Sequence, residues 1–473
     1  MNFWDLLPLD GDSTCLHHED GEISYSELAL LADALFGHRA RGVVFILCNR
    51  NVETIAGYLG GLRNGVVPLM LPADLGDAVL EEYLAVYQPR YIWLDVIRAA
   101  DIAKRHSAQL VQTQHRYALI ELAWPGAGVE LHPDLALLMP TSGSTGDPKL
   151  VRLSYRNLQA NAAAIAAYLP MKPTDVATTN LPLNYSYGLS ILNSHLLVGA
   201  QLVVSEGNVL DRGYWDLVRA KSVTSISGVP FIYAMLQKLR FERLDLPSLR
   251  FMTQAGGHMA PETTRYFVDL CRLKGIDFFT MYGQTEATAR IAYVPPARAL
   301  DKLGSVGVAI PGGRVEIAPA PAAEPGSGAG ELVYYGENVS MGYASGREDL
   351  ARGDDNRGRL CTGDLACIDD EGFITIVGRL RRFAKIYGHN VNLDQVERIL
   401  KTAGVDAMVT ARDDRLSIHV LAGHEDGVAE FLRDRLTVPP TSVQVSSIEA
   451  FPVLPNGKRD YQAISALLSK GSH

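Results

Sequence analysis

Nowhere does this chain of 473 residues hold an uncharged apolar run of the roughly 18 residues that crossing a bilayer takes, so no membrane span is expected. Positive charge is short as well. Lys and Arg number 44 against 53 Asp and Glu, a formal net charge of −9, and so acidic a chain is a poor partner for a nucleic-acid backbone. Cysteine is scarce: Cys15, Cys48, Cys271, Cys361 and Cys367 form an odd, scattered set, which favours reduced thiols in a cytoplasm over a disulfide framework. Cys361 and Cys367 lie close in sequence, yet no second pair or histidine set completes a zinc site, so no structural metal is expected. The opening MNFWDLLPLDGDS lacks a basic segment leading into an apolar one, so no secretory signal is expected either.

What is present is a globular composition, 47% hydrophobic and 21% charged, in a chain long enough for two or three domains. ISYSELALLADALFGHRA predicts a helix from near Ser26, GVVFILCN a buried strand, VETIAGYLGGLRNG a helix closed by glycine, and VVPLMLP the next strand. Continuous apolar strands in turn with helices indicate an α/β domain containing parallel sheet. The rhythm returns as helix YRNLQANAAAIAAYL, strand VATTNLPL, helix GLSILNSHLLVG and strand AQLVVS. IAPAPAAEPGSGAGE, residues 317–331, reads as a turn or short linker before the strand ELVYYG. After VGRLRRFAKIYGHNVN the remainder reads as a small α+β unit: helix LDQVERILKTAG, strands DAMVTARD and RLSIHVLAG, helix VAEFLRDRL, with a joint at Leu380 to Arg382.

Between LALLMP and LVRL lies the polar loop TSGSTGDPK, residues 141–149. Glycines that let backbone approach closely, hydroxyls that donate and one lysine make it a natural phosphate cradle. It is not a P-loop, because no glycine directly precedes Lys149, Leu150 follows where Ser or Thr would hold Mg²⁺, and the next residues read as strand rather than helix. GSGAGE, from Gly326 to Glu331, imitates a dinucleotide fingerprint, but with no strand before it and no helix after it the segment is a loop.

TSGSTGDPK instead resembles the signature loop of the adenylate-forming superfamily, which includes acyl-CoA synthetases, aryl-CoA ligases and stand-alone adenylation enzymes. Four more stretches follow in that family's order. MYGQTEA, residues 281–287, resembles its Tyr-Gly-x-Thr-Glu element, and GELVYYGENVSMGY its Gly-Glu-Leu…Gly-Tyr strand pair. LCTGDLACIDDEGFITIVGRLRRFAKIYGHNVNLDQVE resembles its Thr-Gly-Asp and Gly-Arg elements with the hinge, and LPNGKRD, residues 454–460, its catalytic-lysine motif. The resemblance spans essentially the whole chain. It implies a large N-terminal AMP-binding domain, residues 1–379, of layered α/β subdomains plus a small β-barrel-like part; a hinge at 380–382; and a small mobile α+β domain, residues 383–473, with the catalytic lysine.

Activating a carboxylate with ATP brings two anions together while pyrophosphate leaves, so a protein must supply positive charge, amide donors and alignment. On the resemblance, Thr141, Ser142, Gly143, Ser144, Thr145 and Gly146 wrap the β- and γ-phosphates, and Lys149 offsets charge as pyrophosphate departs. Gly256 and Gly257 leave room for adenine, on which Tyr282 stacks beside Gly283. Thr285 meets an α-phosphate oxygen and Glu286 a Mg²⁺ ion, a hard cation that favours carboxylate oxygen. Asp364 accepts from both ribose hydroxyls, Arg379 approaches ribose or phosphate, and Lys458 bridges substrate carboxylate and nucleotide. The small domain then turns about Arg381 or Arg382 so that another face, with Gly388 near the thiol tunnel, makes a thioester. Arg381, Arg382 and Lys385 either meet acceptor phosphate there or form a solvated basic strand end.

The acid pocket is expected in LPLNYSYGLS, at Asn184, Tyr185, Ser186 and Gly188. Amino-acid-activating relatives usually place an aspartate for the α-ammonium at about Ser186, and acyl- and aryl-activating ones often a histidine at Tyr185. No carboxylate lies between Asp175 and Glu206, and burying an unpaired ammonium is costly, so an acid without an α-amino group is expected, and a chain short for a long-chain fatty-acid enzyme points to a small or medium one. Leu150 and Tyr155 stand where the family usually has glycine and histidine, the marks of a divergent branch. Coenzyme A and the phosphopantetheine of a separate carrier protein remain equal candidates for the acceptor, with no fused carrier domain expected. Two other readings stay open: a stand-alone amino-acid adenylating enzyme loading a carrier protein, and a catalytically silent nucleotide-binding regulator.

Overall fold

In a computed structural model the chain divides into two compact units, one of residues 1–303, 309–314 and 335–360, the other of residues 304–308, 315–334 and 361–473. The structure describes residues 2–6, 12–125, 129–140, 149–320, 328–386, 389–412, 414–433, 436, 438–454, 459–461 and 463–465.

In the first unit the apolar run VVFILC becomes the strand Val43–Cys48, buried at every position, as a strand covered on both faces requires. It pairs in parallel with Val67–Pro72 and Tyr91–Asp95. Its sheet runs in the order Gly342–Ala344, Leu150–Ser154, Leu135–Pro140, Val67–Pro72, Val43–Cys48, Tyr91–Asp95, Tyr117–Glu121, Gln109–Gln114. The chain after Lys149 is thus a strand, antiparallel to Leu135–Pro140. Helix Tyr25–Phe36 starts at a capping box of Ser24 and Glu27, and helix Val52–Asn64 is capped by Asn51 and ended by Gly65 at φ 72°. Leu28, Leu35, Ile55 and Leu59 from these helices share one core with Val44, Ile46 and Trp93.

A second sheet of the same unit holds parallel strands in the order Asp277–Tyr282, Phe251–Gln254, Ser225–Gly228, Val176–Thr178, Gln201–Val203, Thr14–His18. The strand read in VATTNLPL stops at Thr178, well before Pro182. The next helix begins earlier than expected, at Ser186, and runs to Leu197.

The second unit contains a sheet in the order Arg314–Ala318, Gly330–Tyr335, Arg359–Ile368, Ile374–Arg379, the all-β part expected from the motifs. Residues 317–331 join two neighbouring strands of this sheet, with Ile317 and Ala318 ending one and Gly330 starting the other. Farther on, helix Leu393–Thr402 and helix Val428–Arg433 accompany a sheet of Ala407–Arg412, Arg415–Leu421 and Val443–Ile448, around a core of Val396, Leu400, Val409, Ile418 and Leu432. The α+β expectation holds there.

Arg382 corrects an expectation. It is neither solvated nor open to a phosphate: its guanidinium donates to Asp394 Oδ1 at 2.8 Å, to Glu397 and to the Val409 carbonyl at 2.7 Å, and lies 3.9 Å from the Tyr461 ring centre. Burial pushes the Glu397 carboxyl up while the Arg382 charge pulls it back. The side chains of Arg381 and Lys385, with Gly388, lie outside the described residues. Of the five cysteines, Cys361 is exposed, while Cys15, Cys48 and Cys271 are buried. Among the described residues no helix is long and apolar enough to cross a membrane.

Candidate active site

Strands Ser225–Gly228, Phe251–Gln254 and Asp277–Tyr282 run in parallel, and their carboxyl ends carry the two glycine- and threonine-bearing motifs, where α/β sheets commonly take ligands. Gly256 follows the middle strand with φ +83°, and a Cβ there would lie 2.4 Å from Tyr185 Oη. Only glycine admits the tyrosine so close. Gln254 Nε2 fixes the same turn by donating to the Gly257 carbonyl at 2.9 Å.

The Tyr282–Glu286 segment is held by its own fold-back. At Gly283 a Cβ would fall 1.9 Å from the Ala289 carbonyl oxygen. Thr288 sits at φ 62° and ψ −59°, and the Ala289 N–H donates to the Ala287 carbonyl at 2.6 Å, closing a strained γ-turn. Asn338 secures it: its Nδ2 donates to the carbonyls of Ala287 at 2.9 Å and Arg290 at 2.8 Å, and its carbonyl accepts from Thr288 Oγ1 at 2.7 Å. The Glu286 carbonyl accepts from the Ser340 N–H at 2.9 Å.

Three side chains then line up. Lys149 Nζ lies 3.6 Å from the Tyr343 ring centre, and the Tyr343 hydroxyl donates to Glu286 Oε1 at 2.8 Å. Tyr343 stands on Gly342–Ala344, paired antiparallel to Leu150–Ser154, so the strand after Lys149 positions both members. Arg152, with its side chain fully buried, pins that edge: it donates to the carbonyls of Tyr343, Met341 and Gly353, each at 3.1 Å, and pairs with Asp355. Burial draws the Arg152 pKa down and the Asp355 charge opposes this. Sequence reasoning passed over Tyr343, although the Met-Gly-Tyr of its own motif marks it. Among the described residues no three His, Cys, Asp or Glu gather as a metal site. Glu286 alone fits a Mg²⁺ ion that keeps waters and phosphate oxygens as its other ligands.

On the acid side, Thr285 Oγ1 donates to Ser186 Oγ at 3.4 Å, bringing together two residues named from distant motifs. Tyr185 and Ser186 begin the helix Ser186–Leu197, and Asn184 precedes them. Gly188 is buried, and a Cβ on it would meet the Pro182 carbonyl oxygen at 2.2 Å, so it seats the helix against its own entry. Behind these residues Arg290 is 3% exposed, three residues beyond the motif that supplied Thr285 and Glu286 and unremarked in the sequence.

In the second unit, Asp364 and Arg379 are direct partners across two antiparallel strands. Asp364 is 7% exposed and its Oδ1 accepts from Arg379 Nε at 3.1 Å. The Gly363 N–H donates to Glu331 Oε1 at 3.1 Å and the Asp364 N–H to Thr362 Oγ1 at 3.1 Å, which fixes the carboxylate at the strand. Thr141, Ser142, Gly143, Ser144, Thr145, Gly146 and Lys458 lie outside the described residues.

Comparison with known proteins adds four findings. The family described as AMP-binding enzyme matches residues 9–344. Over 55% of the chain the sequence is 32% identical to a 2-succinylbenzoate–CoA ligase of Bacillus cytotoxicus, covering 53% of that protein; the chain spans about half the length of such relatives. Over 96% of the chain it is 26% identical to bacitracin synthase 2 of Bacillus licheniformis, 18% of that protein. The fold is similar to that of O-succinylbenzoate Coenzyme A synthetase (MenE) from Bacillus subtilis in complex with AMP, with TM-score 0.76, 22% identity and 97% of each chain covered.

Proposed function

The chain belongs to the family of AMP-binding enzymes, and from that premise we propose that it activates a small carboxylic acid as an acyl-adenylate and passes the acyl group to a phosphopantetheine thiol. The observation that carries this reading is the Lys149–Tyr343–Glu286 alignment in the unit where Thr285 meets Ser186. It sets a cation, a carboxylate and hydroxyl donors at strand ends suited to a triphosphate.

In the first step a carboxylate oxygen of the acid bonds to the α-phosphorus of ATP and the bond to the bridging oxygen breaks, releasing pyrophosphate. Thr285 donates to an α-phosphate oxygen, and Lys149 offsets charge on the leaving pyrophosphate. Glu286 would hold a Mg²⁺ ion, which would supply neutralising charge to the phosphate oxygens. Gly256 and Gly257 leave a flat wall for adenine beside Tyr282 and Gly283; Asp364 accepts from the ribose hydroxyls, held by Arg379. Lys458 bridges the carboxylate and the nucleotide. In the second step the thiol sulfur attacks the acyl carbon, the carbon–oxygen bond to AMP breaks, and the thiol proton passes to solvent. Residues 1–379 form the AMP-binding domain, 380–382 the hinge and 383–473 the domain that brings Lys458. The CoA ligases among the relatives support coenzyme A as acceptor.

The relative in bacitracin synthesis, alignable over nearly the whole chain, supports a second reading, activation of an amino acid for a carrier protein. Ser186 in place of an aspartate weighs against it. Acid-dependent ATP–pyrophosphate exchange over fatty, aryl, hydroxy, dicarboxylic and amino acids separates the two. The expected result is exchange with acids lacking an α-amino group, reduced about 100-fold or more by Lys458→Ala. Preference for amino acids would support the second reading, and silence over the whole panel would leave a nucleotide-binding regulator.

A further inference from the structure

Among the described residues no carboxylate pairs with the buried guanidinium of Arg290. Its Cζ lies 4.1 Å from the Tyr187 ring centre, Nη1 reaches only its neighbour's carbonyl, Ala289, at 3.4 Å, and buried Nε finds no acceptor among the described residues. The surrounding groups are phenols. Burial pushes the hydroxyls of Tyr168, Tyr185 and Tyr187 up, Tyr185 to about 12, and in all three the Arg290 charge is the next influence and opposes this, with a hydrogen bond to Tyr168. Those hydroxyls have other duties: Tyr187 donates to the Thr253 carbonyl at 2.9 Å and Tyr168 lies 3.0 Å from Met281 Sδ.

This cluster joins the acid side of the site through Tyr185. Its ring meets that of Tyr187 at 6.3 Å between centres, and its hydroxyl presses on Gly256. A cation held by aromatic faces and stray carbonyls is partly stabilised, but a planar fork with unused N–H groups matches a carboxylate far better. Charge unpaired in a protein interior is costly, and it persists where function uses it.

We propose that Arg290 binds a second anionic group on the acid, so that the substrate is a dicarboxylic acid activated at the end away from Arg290. The inference rests on the activating role proposed above for this site.

The test is calorimetric titration of the full chain, with AMP present, by length-matched acids: adipate against hexanoate and suberate against octanoate. One of the two diacids is expected to bind at least tenfold more tightly than its monoacid. Arg290→Met should reduce that preference about 10- to 100-fold, the worth of a charged hydrogen bond, and Arg290→Lys should restore part of it. Arg290→Met should melt no lower than the native chain, since it removes a buried unpaired charge. Absence of a diacid preference, including absence of binding by both diacids, overturns the proposal. So does an equal loss for diacid and monoacid with a lowered melting temperature, the mark of a purely structural arginine. Should pyrophosphate exchange be silent while the Arg290-dependent preference persists, the activity reading falls and the anion site stands.

Discussion

A single hydroxyl separates two roles at Tyr343. Its ring faces Lys149 and its oxygen donates to Glu286, so Tyr343→Phe keeps the first contact and removes the second. Partners of a metal-binding carboxylate commonly contribute about tenfold or more to metal affinity. The variant should therefore need about tenfold more Mg²⁺ for half-maximal exchange, with the rate recovered at high Mg²⁺. An unchanged Mg²⁺ titration would remove Tyr343 from the site. This residue also shows where sequence reading ends. Lys149 stands in a loop whose composition suggests phosphate chemistry and Thr285 and Glu286 in a motif that the family resemblance marks, whereas Tyr343 gains its meaning from a strand pairing with Leu150–Ser154. Arg290 was hidden differently: an arginine reads as surface until Tyr168, Tyr185 and Tyr187, from two helices, are seen to close over it.

At the scale of elements the sequence was far more legible. VVFILC, the Ser24–Glu27 capping box and Gly65 each act within a few residues, and strand and helix follow them closely. The γ-turn at Thr288 was not legible, because nothing in TEATAR demands it; Asn338, remote in sequence, imposes it. Asn338→Ala leaves two buried carbonyls without their donor, at about 1–3 kcal/mol each. Urea unfolding should register a loss of about 2–6 kcal/mol on that basis, and exchange kinetics a raised KM for ATP, since Thr285 and Glu286 enter the turn. Loss of stability with an unaltered KM would mean that the turn supports the core and not the nucleotide.

For the whole molecule, the small α+β part was readable from its own helix and strand periods. The pairing of Arg382 with Asp394 and Glu397 was not, because a run of basic residues looks like a solvated end until its partners at the start of the next helix are placed. If the domain carrying Lys458 serves the two half-reactions by different faces, Lys458→Ala should abolish adenylate formation yet convert supplied acyl-adenylate and coenzyme A to thioester within about tenfold of the native rate, a difference of about 1.4 kcal/mol in barrier. Equal loss in both half-reactions, followed by single-turnover quench, would count against alternation. Such motion could be watched directly. Cys361 is the exposed thiol of the five and stands on the same strand as Asp364. A maleimide dye would attach there in preference to the buried sulfurs, so the native cysteine pattern already supplies an optical reporter beside the proposed ribose contact, with no engineered label required.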